Sequence, residues 1–247
     1  MIAALPMYDR PETEAAVDRL WAGIRAHLGQ GPEALSRDGD LWAIWQAPDL
    51  LLAQTCGLPY RARLHDRVTL VAAPDHRQPD TPPGQYHSVI VTRADDPARG
   101  FADLDGRTLA HNDPLSQSGW AAPSAHAAAH GIAFGSFVET GAHRASARAV
   151  AEGRADCAAL DAVSWALMER HDPFAAGLRV IDRTVPTPAL PFITAQGNDP
   201  APITRALGAA IAALDPADRD TLCLHGIVPA DKAAYLAQPI PAPPRAA

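Results

Sequence analysis

Three short stretches carry residues that could do chemistry, and each falls where an apolar strand should give way to a helix. The sharpest is Asn112-Asp113-Pro114-Leu115-Ser116-Gln117-Ser118-Gly119-Trp120. Two hydroxyls and the unsatisfied N–H groups of a first helical turn would converge there, at the end of the helix where the dipole favours negative charge. The pattern reads as an anion cradle made by Ser116, Gln117 and Ser118; the plainer alternative is that Ser116 or Ser118 only caps the helix. In Glu139-Thr140-Gly141-Ala142-His143 the histidine sits near a helix start. The dipole there disfavours its charged form, yet a neutral imidazole still donates one hydrogen bond. The alternative is a solvated ring. Ala158-Ala159-Leu160-Asp161 ends an apolar strand in a carboxylate that could meet a ligand amine or hydroxyl, or cap the next helix. Tyr8, Tyr60 and Tyr86 lie at strand boundaries, where tyrosine offers a flat wall and a hydroxyl, or simply packs.

Other chemistries find less support. His126 and His130 have the i, i+4 spacing of a helical metal pair, but no HExxH motif and no evident third ligand accompany them. No metal and no cofactor are therefore expected. Lys232 is the only lysine, which disfavours Schiff-base chemistry, and GxSxG, Walker and GxGxxG patterns are absent. Cys56 could act as a nucleophile with His143 as its base, although a buried small residue is the commoner role. Cys56, Cys157 and Cys223 form neither a CxxC pair nor an even set, so reduced thiols are expected.

The elements that must position these residues follow from the pattern. Ile2–Met7 reads as a short strand, and Asp9 and Glu12 have capping-box spacing ahead of a helix carrying Val17, Leu20, Trp21, Ile24 and Leu28, stopped by Gly29. Strands are expected at 49–57, 67–73, 86–93, 108–112, 134–139, 156–160 and 178–182, with helices to about Gly131, over 143–152 and over 162–170. A β-α-β opening of this kind favours a parallel sheet with its loops gathered at the strands' carboxyl ends. Turn-rich stretches at 74–84 and 183–188 read as two linkers, and 190–195 as a strand returning to the first part. Two crossings imply a discontinuous first lobe, residues 1–83 plus 187–247, and a second lobe, 84–186, hinged around a ligand cleft.

Composition bounds the partners. The 247 residues are 47% hydrophobic and 20% charged, with no apolar run long enough to cross a bilayer, so neither disorder nor membrane insertion is expected. A net charge of −7 argues against a nucleic-acid binder. Met1–Met7 lacks the basic start of a signal peptide, which reads as cytoplasmic for the sequence as it stands and as periplasmic if an export segment preceded it.

Taken in order, Tyr86-His87-Ser88, Phe101-Ala102-Asp103-Leu104-Asp105-Gly106, Ser116-Gln117-Ser118-Gly119, Gly141-Ala142-His143 and Asp156-Cys157-Ala158-Ala159-Leu160-Asp161 resemble the phosphate/phosphite/phosphonate-binding proteins of ABC importers. The resemblance covers most of the chain. It implies a type II periplasmic-binding-protein fold of two hinged α/β lobes. It also implies that Ser116, Gln117 and Ser118 hold phosphonate-like oxygens, with His143, Asp161 and Tyr86 completing recognition. Gln117 stands where the family often has Thr. Tyr8 lies on the first-lobe side by chain order. The implied partners are a small anionic or zwitterionic ligand and an ABC permease, for uptake or for intracellular sensing. The alternative is a cytoplasmic small-molecule enzyme on the same fold.

Overall fold

The apolar runs of the chain pair into two separate five-stranded sheets, seen in a computed structural model that describes residues 1–244. The chain opens with β1 (Ile2–Ala4), α1 (Glu14–Leu28), α2 (Leu41–Trp45), β2 (Leu50–Gln54), α3 (Gly57–Pro59) and β3 (Val68–Asp75). Next come β4 (Gln85–Tyr86), β5 (Ser88–Arg93), β6 (Thr108–His111), α4 (Ala122–His130) and β7 (Ser136–Glu139). They lead to α5 (His143–Ala151), β8 (Cys157–Asp161), α6 (Ala162–His171) and β9 (Leu178–Arg183). The last stretch holds β10 (Thr187–Pro188), β11 (Phe192–Ala195), α7 (Pro200–Ala213), α8 (Pro216–Thr221), β12 (Gly226–Val228) and α9 (Lys232–Leu236).

Two compact units result, Met1–Gln85 with Pro188–Ala237, and Tyr86–Thr187 with the segment from Gln238. The sequence expectation of residues 187–247 in the first lobe differs at the tail. Trp120 Nε1 donates to the Ala242 carbonyl at 3.0 Å, which holds the tail on the second unit. The Trp120 ring also packs edge-on to Phe137 at 5.1 Å. Trp120→Phe keeps the ring contact and removes the hydrogen bond. It should cost about 1 kcal/mol in urea unfolding and speed proteolytic cleavage after residue 237; an unchanged cleavage rate would contradict this anchoring.

In the first unit the sheet order is β1-β2-β11-β3-β12. β1 and β2 are parallel, as the β-α-β opening implies, but β11 inserts antiparallel between β2 and β3. The sheet is therefore mixed. One face buries Leu20, Trp21, Ile24, Leu52, Phe192 and Leu207 with α1 and α7, and the other buries Trp45, Tyr60, Leu64, Ile193 and Tyr235. Each such aliphatic side chain contributes roughly 1.5–3 kcal/mol by leaving water. The expected capping box does not form. Thr13 is the N-cap residue, its hydroxyl donates to the Tyr8 carbonyl at 2.7 Å, and Asp9 accepts from Arg37.

The second unit has the order β7-β6-β8-β5-β9, with β6 parallel to β7 and β8, and β5 antiparallel to β8 and β9. The strand expected over Tyr86–Arg93 is broken at His87 into β4 and β5. All five residues of β8 are buried, which its apolar run requires of a strand covered on both faces. Chain order runs from β6 outward to β7, then back past β6 to β8. That reversal makes a topological switch point between β6 and β8, and ligands of open α/β sheets bind beyond the strand ends at such a point.

Candidate functional site

The segment after β6 builds its helix start from the hydroxyl of Ser116. Ser116 is extended (φ −79, ψ 129) and its Oγ accepts from Gly119 N at 2.9 Å, so it caps the helix as the plainer reading holds. The first ladder bonds run from Trp120 N and Ala121 N to the Ser116 carbonyl at 3.2 and 3.0 Å. Gln117–Ala121 is thus a π-helical turn continuing into α4, a widened opening of the kind found often at functional sites. Pro123, which has no N–H to donate, falls just beyond the π-turn, at the second residue of α4. The backbone amides of residues 117 and 118 lead the ladder at the positive end of the helix dipole.

Gly119 is set by contact rather than by conformation. A Cβ there would stand 1.9 Å from Asn112 Oδ1 and 3.2 Å from Ser116 Oγ. Asn112, just past β6, therefore lies directly against the turn.

His143 opens α5, after β7, and its Nε2 lies 2.8 Å from Ser118 Oγ. Its Nδ1 is buried with no hydrogen-bond partner among the described residues. Burial pushes its pKa down to about 4, partly offset by the nearby Ala159 backbone. The imidazole is half-buried and neutral at physiological pH, with Ser118 Oγ as its hydrogen-bond partner. Behind the pair, Ser88 Oγ donates to the Ser118 carbonyl at 2.9 Å. Ser88 is itself fixed by exchanging hydrogen bonds with Thr184, and its Cα partner across the sheet is Asp161.

Asp161 is 1% exposed, and its Oδ1 caps α6 by accepting from Val163 N and Ser164 N at 2.8 and 2.9 Å. Its charge rests on that helix start. Gln117 is buried, with Nε2 donating to Thr187 Oγ1 at 3.4 Å. Tyr86 is 1% exposed in β4. Tyr8 belongs to the first unit, where its ring meets His76 edge-on at 5.4 Å. Tyr60 is a core residue, packed against Tyr235 at 5.3 Å, its phenol pushed up to about 12 by burial.

The structure thus gathers Ser116, Ser118 and His143 through side-chain or backbone bonds, with Ser88, Asn112 and Asp161 beside them. Neither Ser88 nor Asn112 is given a role by residue pattern, although Ser88 lies within the Tyr86-His87-Ser88 motif and Asn112 opens the stretch that ends in the turn. The group can present hydroxyls, leading amides and a neutral imidazole to an anion. Hydrogen bonds to a charged group are each worth about 1.5–3 kcal/mol, so a few of them hold an anion without a lysine.

The chain was compared with known proteins. No sequence among the curated proteins matches it. Among solved structures, PhnD1 from Prochlorococcus marinus in complex with methylphosphonate aligns with a TM-score of 0.75 at 18% identity, covering 95% of this chain and 94% of that one. A binding protein component of an ABC phosphonate transporter from Pseudomonas aeruginosa aligns at 0.70 and 16% identity, covering 95% and 82%. XAC2383 from Xanthomonas citri bound to chloride ion aligns at 0.67 and 18% identity, covering 95% and 92%. These likenesses establish the two-lobe α/β fold of periplasmic binding proteins. The family model described as ABC transporter, phosphonate, periplasmic substrate-binding protein matches residues 43–235, and the chain belongs to that family.

Proposed function

We propose that this solute-binding protein captures a small anionic or zwitterionic ligand of the phosphate or phosphonate class at the turn formed by Ser116, Gln117 and Ser118. The ligand is then delivered to an ABC permease or sensed inside the cell. The observation that carries this reading is the Ser118–His143 hydrogen bond at the head of the helix over 117–130. The bond to a neutral imidazole holds Ser118 Oγ at the helix start, where the leading amides and the helix dipole favour an oxyanion. Methylphosphonate bound to PhnD1 and chloride bound to XAC2383 support an anionic ligand. Ser88, through the Ser118 carbonyl, keeps the turn in place before the ligand arrives.

Calorimetric titration with phosphate, methylphosphonate, aminoalkylphosphonates and sulfonates tests the reading. At least one of these should bind, and Ser116→Ala with Ser118→Ala together should weaken it more than tenfold. Equal affinity in the double variant would sink the cradle assignment. Mass spectrometry of the recovered ligand should find it unchanged; a consumed ligand would turn the reading toward an enzyme.

A further inference from the structure

At the other end of the helix that begins with the cradle, a different group of side chains converges. His126 and His130 lie one turn apart on α4, and Asp182 comes from the edge strand β9. One ligand-capable atom from each lies within 4.8 Å of the other two. His126 Nε2 is 3.0 Å from Asp182 Oδ2.

The hydrogen bonds around these atoms orient them. His130 Nδ1 meets the His126 carbonyl oxygen at 2.8 Å, and because a carbonyl only accepts, this nitrogen carries the proton. In the neutral ring, Nε2 of His130 is then left with a bare lone pair. An imidazole whose second N–H is spent on a backbone carbonyl is arranged as metal-ligating histidines are. Asp182 Oδ1 accepts from Arg183 N at 2.8 Å, which likewise fixes the carboxylate. The ring of Phe101 stands edge-on to both imidazoles, 4.3 Å from His126 and 5.3 Å from His130. Exposure is graded, with His126 buried, Asp182 intermediate and His130 exposed, so an ion can arrive from solvent and keep one side open.

We infer that His126, His130 and Asp182 form a binding site for a divalent transition-metal ion of the zinc class, distinct from the anion cradle. Two imidazole nitrogens and one carboxylate oxygen suit Zn²⁺, Co²⁺, Ni²⁺ or Cu²⁺, whereas Ca²⁺ and Mg²⁺ take oxygen ligands. A solvent molecule completes the fourth position, as in open three-ligand zinc sites. Tetrahedral bonds of about 2.0–2.1 Å place ligand atoms roughly 3.3 Å apart. The group must therefore contract by about 1.5 Å at most, a shift within the reach of the exposed His130 side chain. Binding exchanges the His126–Asp182 hydrogen bond for two metal–ligand bonds, and the His126 proton moves from Nε2 to Nδ1. The ion would tie the last turn of α4 to the sheet edge.

The test titrates tag-free full-length protein with Zn²⁺ in competition with a chromophoric chelator. His130→Ala, the isosteric Asp182→Asn and the exposed His27→Ala control are run beside the unmodified chain, with folding checked by circular dichroism. One Zn²⁺ per chain is expected, bound at least tenfold more weakly by His130→Ala and by Asp182→Asn and unchanged in His27→Ala. Zn²⁺ should also raise the melting temperature of the unmodified chain and of His27→Ala more than that of the two ligand variants. Absence of stoichiometric binding, or equal affinity in the ligand variants and the control, overturns the site.

Discussion

Gly119→Ala should leave a folded chain that binds its ligand at least tenfold more weakly, at a cost of about 1–3 kcal/mol in stability. The added methyl would stand 1.9 Å from Asn112 Oδ1, too close for any non-bonded pair, so either the Asn112 side chain swings away or the π-turn moves. Both outcomes disturb the cradle. A moved turn shifts the Ser116 cap and the Ser118 hydroxyl together, because Gly119 N is the donor to Ser116 Oγ. The double variant Gly119→Ala with Asn112→Ala removes the obstructing oxygen and should recover most of the lost stability. The non-additivity of the pair in urea unfolding measures the contact directly. If Gly119→Ala alone melts and binds like the unmodified chain, the close approach of Asn112 to the turn is not a constraint on the site.

Acid should unfold the protein through two histidines that the folded chain holds neutral. His76, in the first unit, is 5% exposed with Nδ1 against the Cys223 carbonyl at 2.7 Å, and burial pushes its pKa down to about 4. His143 is pushed down to about 4 by the same cause. Both folded values lie below the ordinary value near 6.5, so between those limits the unfolded chain binds protons that the folded chain refuses. Stability contributed by the neutral rings is complete above about pH 6.5, falls as the pH drops, and is fully lost below about pH 4. For His76 the shift corresponds to about 3 kcal/mol. The unfolding free energy of the unmodified chain should therefore fall steeply between pH 6.5 and 4. His76→Gln should flatten that slope, a difference that separates the histidine from carboxylates titrating nearby. Equal slopes in the two proteins would remove His76 as the cause. In the proposed site, the same neutrality would have His143 meet an anion as a hydrogen-bonding group, without an ion pair.

The legible part of the site is the part written in contiguous residues. Ser116 to Gly119 and His143 stand at strand-to-helix junctions, and both the strand run before them and the helical period after them are local signals. Whether Ser116 caps or binds is not local, because a cap and a ligand contact use the same residue at the same place. Here the answer depends on where Gly119 N points. Ser88 was harder to read for a different reason: it reaches the turn from β5, and pairing register is not carried by a single strand's composition. Asp182 lies far along the chain from His130 and meets His126 only because β9 forms an edge of the sheet. In the first unit, the returning strand at Phe192–Ala195 was readable as a strand. Its antiparallel insertion between β2 and β3 rests on pairing partners more than a hundred residues away.

The pairing of β4 with β10 brings the beginning and end of the second unit side by side. For folding this acts as a shortcut. Before the second unit forms, joining β11 to β2 and β3 means closing a loop of roughly a hundred residues. Once it has formed, closing β11 onto β3 spans only about a dozen, which reduces the entropic cost by about 2 kcal/mol. The inserted stretch Tyr86–Thr187 should therefore acquire its protection from hydrogen exchange first, and the first unit, built from Met1–Gln85 and Pro188–Ala237, should follow.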